Sequence, residues 1–119
     1  MPNEIRIQAG LFASKAGIIL NPPVETQAVD MAGEDIFSGT FVATGTASAL
    51  SFGGITGNPA AILIVNKDAV NNLSVGFANP PTEMILRPGV PAMIPGPAGT
   101  VFVRSSASST RYFIAACEA

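Results

Sequence analysis

Ala60–Asn66 reads AAILIVN, an unbroken apolar run closed by an asparagine. That is the pattern of a β-strand buried on both faces. The residues on either side punctuate it. NKDAVNN (66–72) follows as a polar turn, and Leu73–Phe77 (LSVGF) then alternates, with Leu73, Val75 and Phe77 on one face. ANPPTE (78–83) is a rigid turn, because two consecutive prolines cannot continue a ladder. Met84–Arg87 is a short strand stopped by Arg87–Pro88–Gly89, and Pro91–Ile94 is extended before the turn PGPAG. Thr100–Arg104 (TVFVR) alternates, with Val101 and Val103 on one face and Phe102 on the other; SSASST connects it to a last strand, Arg111–Cys117. Turn signals arrive roughly every eight to twelve residues from Gly57 onward, the spacing of antiparallel strands in a sandwich or barrel. No window carries a 3.6-residue apolar repeat of helical length. The expected fold is all-β: an antiparallel β-sandwich or jelly-roll-like barrel over residues 30–119, with Ile62, Ile64, Val75, Phe77, Val101, Phe113 and Ala115 in its core.

The first half of the chain is less regular. Ile5 and Ile7 alternate with Glu4, Arg6 and Gln8, a short half-exposed strand. Leu11–Phe12 and Ile18–Leu20 are apolar patches, and NPPVETQ (21–27) is a connector. Asp35–Val42 and Thr46–Phe52 have the composition of two further strands. Residues 1–29 are either an irregular arm that packs on a neighbouring subunit or the first strands of the same domain; the pattern leaves both open.

Charge is the anomaly. Charged residues are 12% of the chain, against about 25% in an average soluble domain. Ile36–Asn66 holds no charged side chain. A membrane does not explain this, because the stretch is broken by five glycines and Pro59, whereas a spanning helix needs about 20 mostly apolar residues. MPNEIRIQ lacks the basic-then-apolar pattern of a secretory signal. A net charge of −2 with six scattered basic residues argues against nucleic acid as the main partner. Protein neighbours remain, with the chain itself first among them. The candidate contact residues are Ile5 and Ile7 in the arm, Thr46 and Ser48 in the uncharged span, and Arg87 and Arg104, which fall at strand ends where arginine can pair with acids of another subunit. Simple solvation is the plainer reading of each arginine taken singly.

Chemistry is scarce. The chain has no histidine, which removes Ser–His–Asp and Cys–His catalysis and the commonest metal ligand. Its one cysteine, Cys117, forms no intrachain disulfide and no thiolate zinc site, and reads as a small buried hydrophobe. SFGGITGNPA (51–60) is glycine-rich but has no lysine and opens no helix, so it reads as a turn rather than a phosphate cradle. Asp30, Glu34 and Asp35 cluster without matching a calcium-loop pattern, and read as a solvated acidic turn. No catalytic residue, cofactor or metal is expected.

Residues 60–118 resemble small structural proteins of tailed-bacteriophage virions. The resemblance rests on AILIVNKDAVNNLSVGF, then MILRPGVPAMIPGPAGTVFVRSS, then RYFIAACEA. It implies a β-sandwich or jelly roll that acts as a capsid decoration or cement protein, made in the host cytoplasm and carried on the outer capsid surface. It also implies a homo-oligomer, with a trimer suiting symmetry points, that bridges copies of the major capsid protein. A tail, neck or fibre component is the alternative. A carbohydrate-binding module is disfavoured by the absence of Trp and the single tyrosine, Tyr112.

Overall fold

The computed structural model describes residues 5–29, 36–55, 59–96 and 99–118. Asp30, Glu34 and Asp35 lie outside them. The described residues form strands, turns and bends with no helix, and every strand pair is antiparallel. The chain divides into two compact units, Met1–Ala32 and Gly33–Ala119.

The first unit is a two-stranded ribbon. β1 (Ile5–Ala9) pairs with β4 (Glu25–Val29), and β2 (Ala13–Lys15) pairs with β3 (Ile18–Leu20). The β2–β3 turn is the two-residue loop Ala16–Gly17, both with positive φ (51° and 81°). That is the turn geometry whose twist matches a hairpin. The ladder lapses between the two halves, where Pro22 and Pro23 have no N–H to give. NPPVETQ is therefore not all connector: Glu25, Thr26 and Gln27 already belong to β4.

The second unit is a sandwich of two four-stranded sheets. One has the order β10 (Pro91–Pro95), β7 (Pro59–Asn66), β12 (Ser109–Glu118), β5 (Ile36–Thr44). The other has the order β6 (Ser48–Ala49), β11 (Phe102–Ser105), β8 (Leu73–Gly76), β9 (Met84–Leu86). Both sheets end in edge strands, so the unit is not a closed barrel. The Thr46–Phe52 stretch contracts to the two residues of β6.

Register decides which side chains meet. Ile62 and Ile64 of β7 lie opposite Ala116 and Ile114 of β12, and all four face Leu73, Val75, Leu86, Val101 and Val103 of the other sheet in one core cluster. Two expected core positions on β12 are corrected by this register. Tyr112, Ile114 and Ala116 are buried, which turns Phe113 and Ala115 to the opposite, outer face, where they are half-buried. Phe77 is a third correction: β8 ends at Gly76, the chain bends, and Phe77 is 50% exposed. Ile62, Ile64, Val75 and Val101 are core as expected.

Asn66 closes the end of β7. It is fully buried, and its Nδ2 donates to the carbonyls of Asn71 (2.9 Å) and Leu86 (2.8 Å), while Oδ1 accepts from the Asp68 N–H (2.8 Å). Its backbone carbonyl accepts from Gly89 (2.9 Å), whose φ of 82° completes the Arg87–Val90 turn. A buried amide with all these bonds fixes the β7–β8 loop and the β9–β10 turn at once.

Replacing Ile114 with alanine is expected to cost about 2–5 kcal/mol, since it empties space in the middle of the core. Phe113→Ala is expected to cost clearly less in monomer stability. Urea unfolding of both variants checks this, and equal midpoints contradict the register. The Asp68 carboxylate is held below its ordinary pKa of 3.8, first by the Asn71 N–H (2.6 Å) and then by the Val70 N–H (3.0 Å). A depressed folded pKa gives loop stabilisation that is complete above the unfolded value and is lost as pH falls through the folded one. The Val70 and Asn71 amide resonances should therefore titrate with a midpoint below 3.8; a midpoint at or above it contradicts these bonds.

Candidate functional site

Two surfaces carry apolar side chains that the chain leaves in contact with water. The first is the ribbon. Alternation along a strand gives a ribbon two faces, and from Gln8 to Thr26 every residue of this one is exposed on both. Leu11, Phe12, Ile18, Ile19, Leu20 and Val24 are all exposed, Ile18 and Ile19 by 77% and 73%. Phe12 and Val24 close over Gly10, where an added Cβ would stand 2.9 Å from the Phe12 ring. A shallow apolar hollow of about 300 Å³ lies beside the tip, lined by Ala13, Lys15, Ile18 and Leu20 among others.

The second surface is the outer face of the β10–β7–β12–β5 sheet. The residues that alternate with the core ones form cross-strand rows: Met93, Leu63, Ala115 and Ser38 in one, Pro91, Val65, Phe113 and Thr40 in the next. Ile36 and Val42 flank these rows on β5 and are exposed, and Cys117 lies beside Ile36. The charge lies at one end, where Arg111 is next to Val42 and its carbonyl accepts from the Lys67 N–H (2.8 Å). β7 is thus apolar on both sides, as its run of residues reads, but among the described residues of this unit only its inner side is covered by a second sheet.

The six contact residues expected from sequence fall in three places. Ile5 is buried and Ile7 half-buried, both on β1. Thr46, Ser48 and Arg104 come together at the β6 side of the second sheet: all three are exposed, Ser48 pairs with Val103, and Arg104 Nε donates to the Gly45 carbonyl (2.9 Å). Thr46 N–H donates to Thr44 Oγ1 (3.3 Å) within that bend. Arg87 is exposed in the turn after β9, at the opposite edge of the same sheet. The structure does not gather the six into one patch. Sequence reasoning missed Leu63 and Val65 as outer-face residues, although the unbroken apolar run of β7 was their signal, and it assigned Phe113 and Ala115 of β12 to the core instead.

Groups able to do chemistry are not brought together. Among the described residues no three His, Cys, Asp or Glu side chains are placed to hold a metal ion. Burial raises the Cys117 thiol above its ordinary pKa, the opposite of an activated nucleophile. No described helix is long and apolar enough to cross a membrane.

Ala16 holds a positive φ that an L-residue with a Cβ adopts at a cost of about 1 kcal/mol, and that asparagine tolerates better. Ala16→Asn should therefore slow hydrogen exchange of the ribbon amides several-fold, about fivefold for 1 kcal/mol. Exchange rates that stay the same or rise contradict the turn geometry.

No protein-family model matches the chain, and no match was found among curated proteins or solved structures.

Proposed function

We propose that this chain is a non-enzymatic structural protein that works by packing against other proteins, as a decoration or cement component on the outer surface of a phage head. The observation that carries the reading is the ribbon, β1 to β4. It presents Leu11, Phe12, Ile18, Ile19 and Leu20 to water on a two-stranded scaffold that has no means of covering them. Contiguous exposed apolar groups of this kind mark sites of protein contact. A neighbouring subunit, the major capsid protein in this reading, supplies the missing layer. The resemblance of residues 60–118 to virion structural proteins supports the particle as the setting. The lack of histidine and the single cysteine support a role without turnover. No cofactor, metal, nucleic acid or membrane enters the account.

The test uses heads assembled from the major capsid protein of a phage whose genome encodes this chain. Wild-type protein should co-sediment with them saturably and raise their resistance to heat. The double variant Ile18→Lys, Ile19→Lys should keep its β-sheet circular dichroism and lose at least about tenfold in head affinity, the size of a hot-spot loss. Wild-type protein that ignores heads and binds purified tails instead moves the protein to the tail. Wild-type and variant binding heads equally well removes the ribbon from the contact.

A further inference from the structure

The outer sheet face asks for a partner of a different kind from the ribbon's. We infer that a second copy of this chain stacks on it, sheet face to sheet face, about a two-fold axis. The inference deepens the structural-protein reading by naming the homomeric contact, and it does not depend on the ribbon's partner.

Three observations lead to it. The first is the sequence of β7. A strand whose two faces are both apolar belongs between two layers, and among the described residues of its own unit one layer is present. The second is area. Four strands at about 4.8 Å spacing and eight residues of β7 at about 3.3 Å span roughly 19 by 26 Å, so two stacked copies bury about 1,000 Å² even as flat area. That reaches the size at which specific interfaces begin, before side-chain relief is added.

The third is self-complementarity. A two-fold contact sets a surface against itself, so any charge in its middle would meet its own copy. The rows through Leu63, Ala115, Val65 and Phe113 hold no charge. Arg111 lies at one end of the face, where its carbonyl accepts from the Lys67 N–H (2.8 Å), and the other end, through Pro95, Ala61, Cys117 and Ile36, is uncharged. A two-fold axis running across the strands places the basic Arg111 end of each copy over the uncharged Cys117 end of its mate, whereas an axis along the strands would set the two basic ends together. The two-fold pairing differs from the trimer expected from the resemblance, because a face stacked on its own copy takes one mate.

The face carries its own reporter. Cys117 alternates with the buried Ile114 and Ala116, which places it on the outer side of β12. In a single copy its thiol is half-buried, and in the stacked pair it is shielded further. The experiment follows Cys117 modification by a disulfide reagent at several protein concentrations, with mass from light scattering, for wild type, Phe113→Glu and Met93→Lys. Met93 is 38% exposed on the edge strand β10, so that variant keeps its fold even where Phe113→Glu fails.

The expected result is a wild-type dimer at low micromolar concentration whose Cys117 reacts at least about tenfold faster on dilution. Met93→Lys should be monomeric, with Cys117 fast at every concentration. A monomeric wild type overturns the inference. So does a dimer that survives Met93→Lys unchanged, which would place the contact elsewhere, for instance along the free edge of β5 three strands away. A wild-type monomer whose head binding is abolished by Met93→Lys also overturns it, since the face then belongs to the capsid protein. Head co-sedimentation is read separately, so loss of the dimer with head binding intact rejects this inference and leaves the structural role standing.

Discussion

Strand β7 is the constraint on which the rest of the sandwich depends. It is hydrogen-bonded on both edges, to β10 and β12, and apolar on both faces. Its inner side chains, Ile62 and Ile64, are fully buried against the second sheet, and Asn66 locks its end to the loops that lead into β8 and β10. Burial of this kind is non-directional, so it sets that the two sheets meet; register with β12 sets which residues meet. The same strand then leaves Leu63 and Val65 on a side where its own unit has no further sheet. The core of the sandwich and the inferred homomeric contact both draw on a single run of seven residues, Ala60–Asn66.

The edges of this sheet are treated differently. β10 is bracketed by Pro91 and Pro95, which cannot donate and so discourage an added strand. β5 is nine residues long, without charge or proline. Its inward side still contributes to the sandwich, where Phe37 and Phe41 stack at 5.8 Å and Phe41 reaches Tyr112 at 6.1 Å. Gly39 makes that stack possible, since a Cβ there would stand 3.0 Å from the Phe41 ring.

Much of this was legible in the sequence. The continuous run of β7, the alternation in β8 and β11, and the Arg87–Pro88–Gly89 stop each encode a local backbone preference, and local preferences survive into the fold. The last strand was not legible in the same way. Tyr112 to Cys117 is apolar at every position, so a period of two has nothing to grip, and only pairing with β7 selects Ile114 over Phe113 for the core. Phe77 keeps the alternation of LSVGF but lies one residue beyond the end of β8. The ribbon was obscured by Pro22–Pro23 in mid-hairpin and by a turn made of Ala16–Gly17 instead of the usual Asn–Gly. Charge depletion in Ile36–Asn66 pointed to a contact surface, but Thr46 and Ser48 lie in the bend and short strand between β5 and β7. The broad outer face is built from β5 and β7 together with β12 and β10, a juxtaposition that depends on topology.

In the proposed function the ribbon meets an unlike neighbour and the sheet face a like one. The central claim is that the outer sheet face is a homomeric contact, and isotope-filtered NOE spectroscopy on a mixture of labelled and unlabelled chain tests it most directly. The account predicts intermolecular NOEs among the methyl groups of Leu63, Val65, Met93 and Ala115. Intermolecular NOEs confined to other surfaces, or none at all at concentrations where the face should be paired, would contradict it.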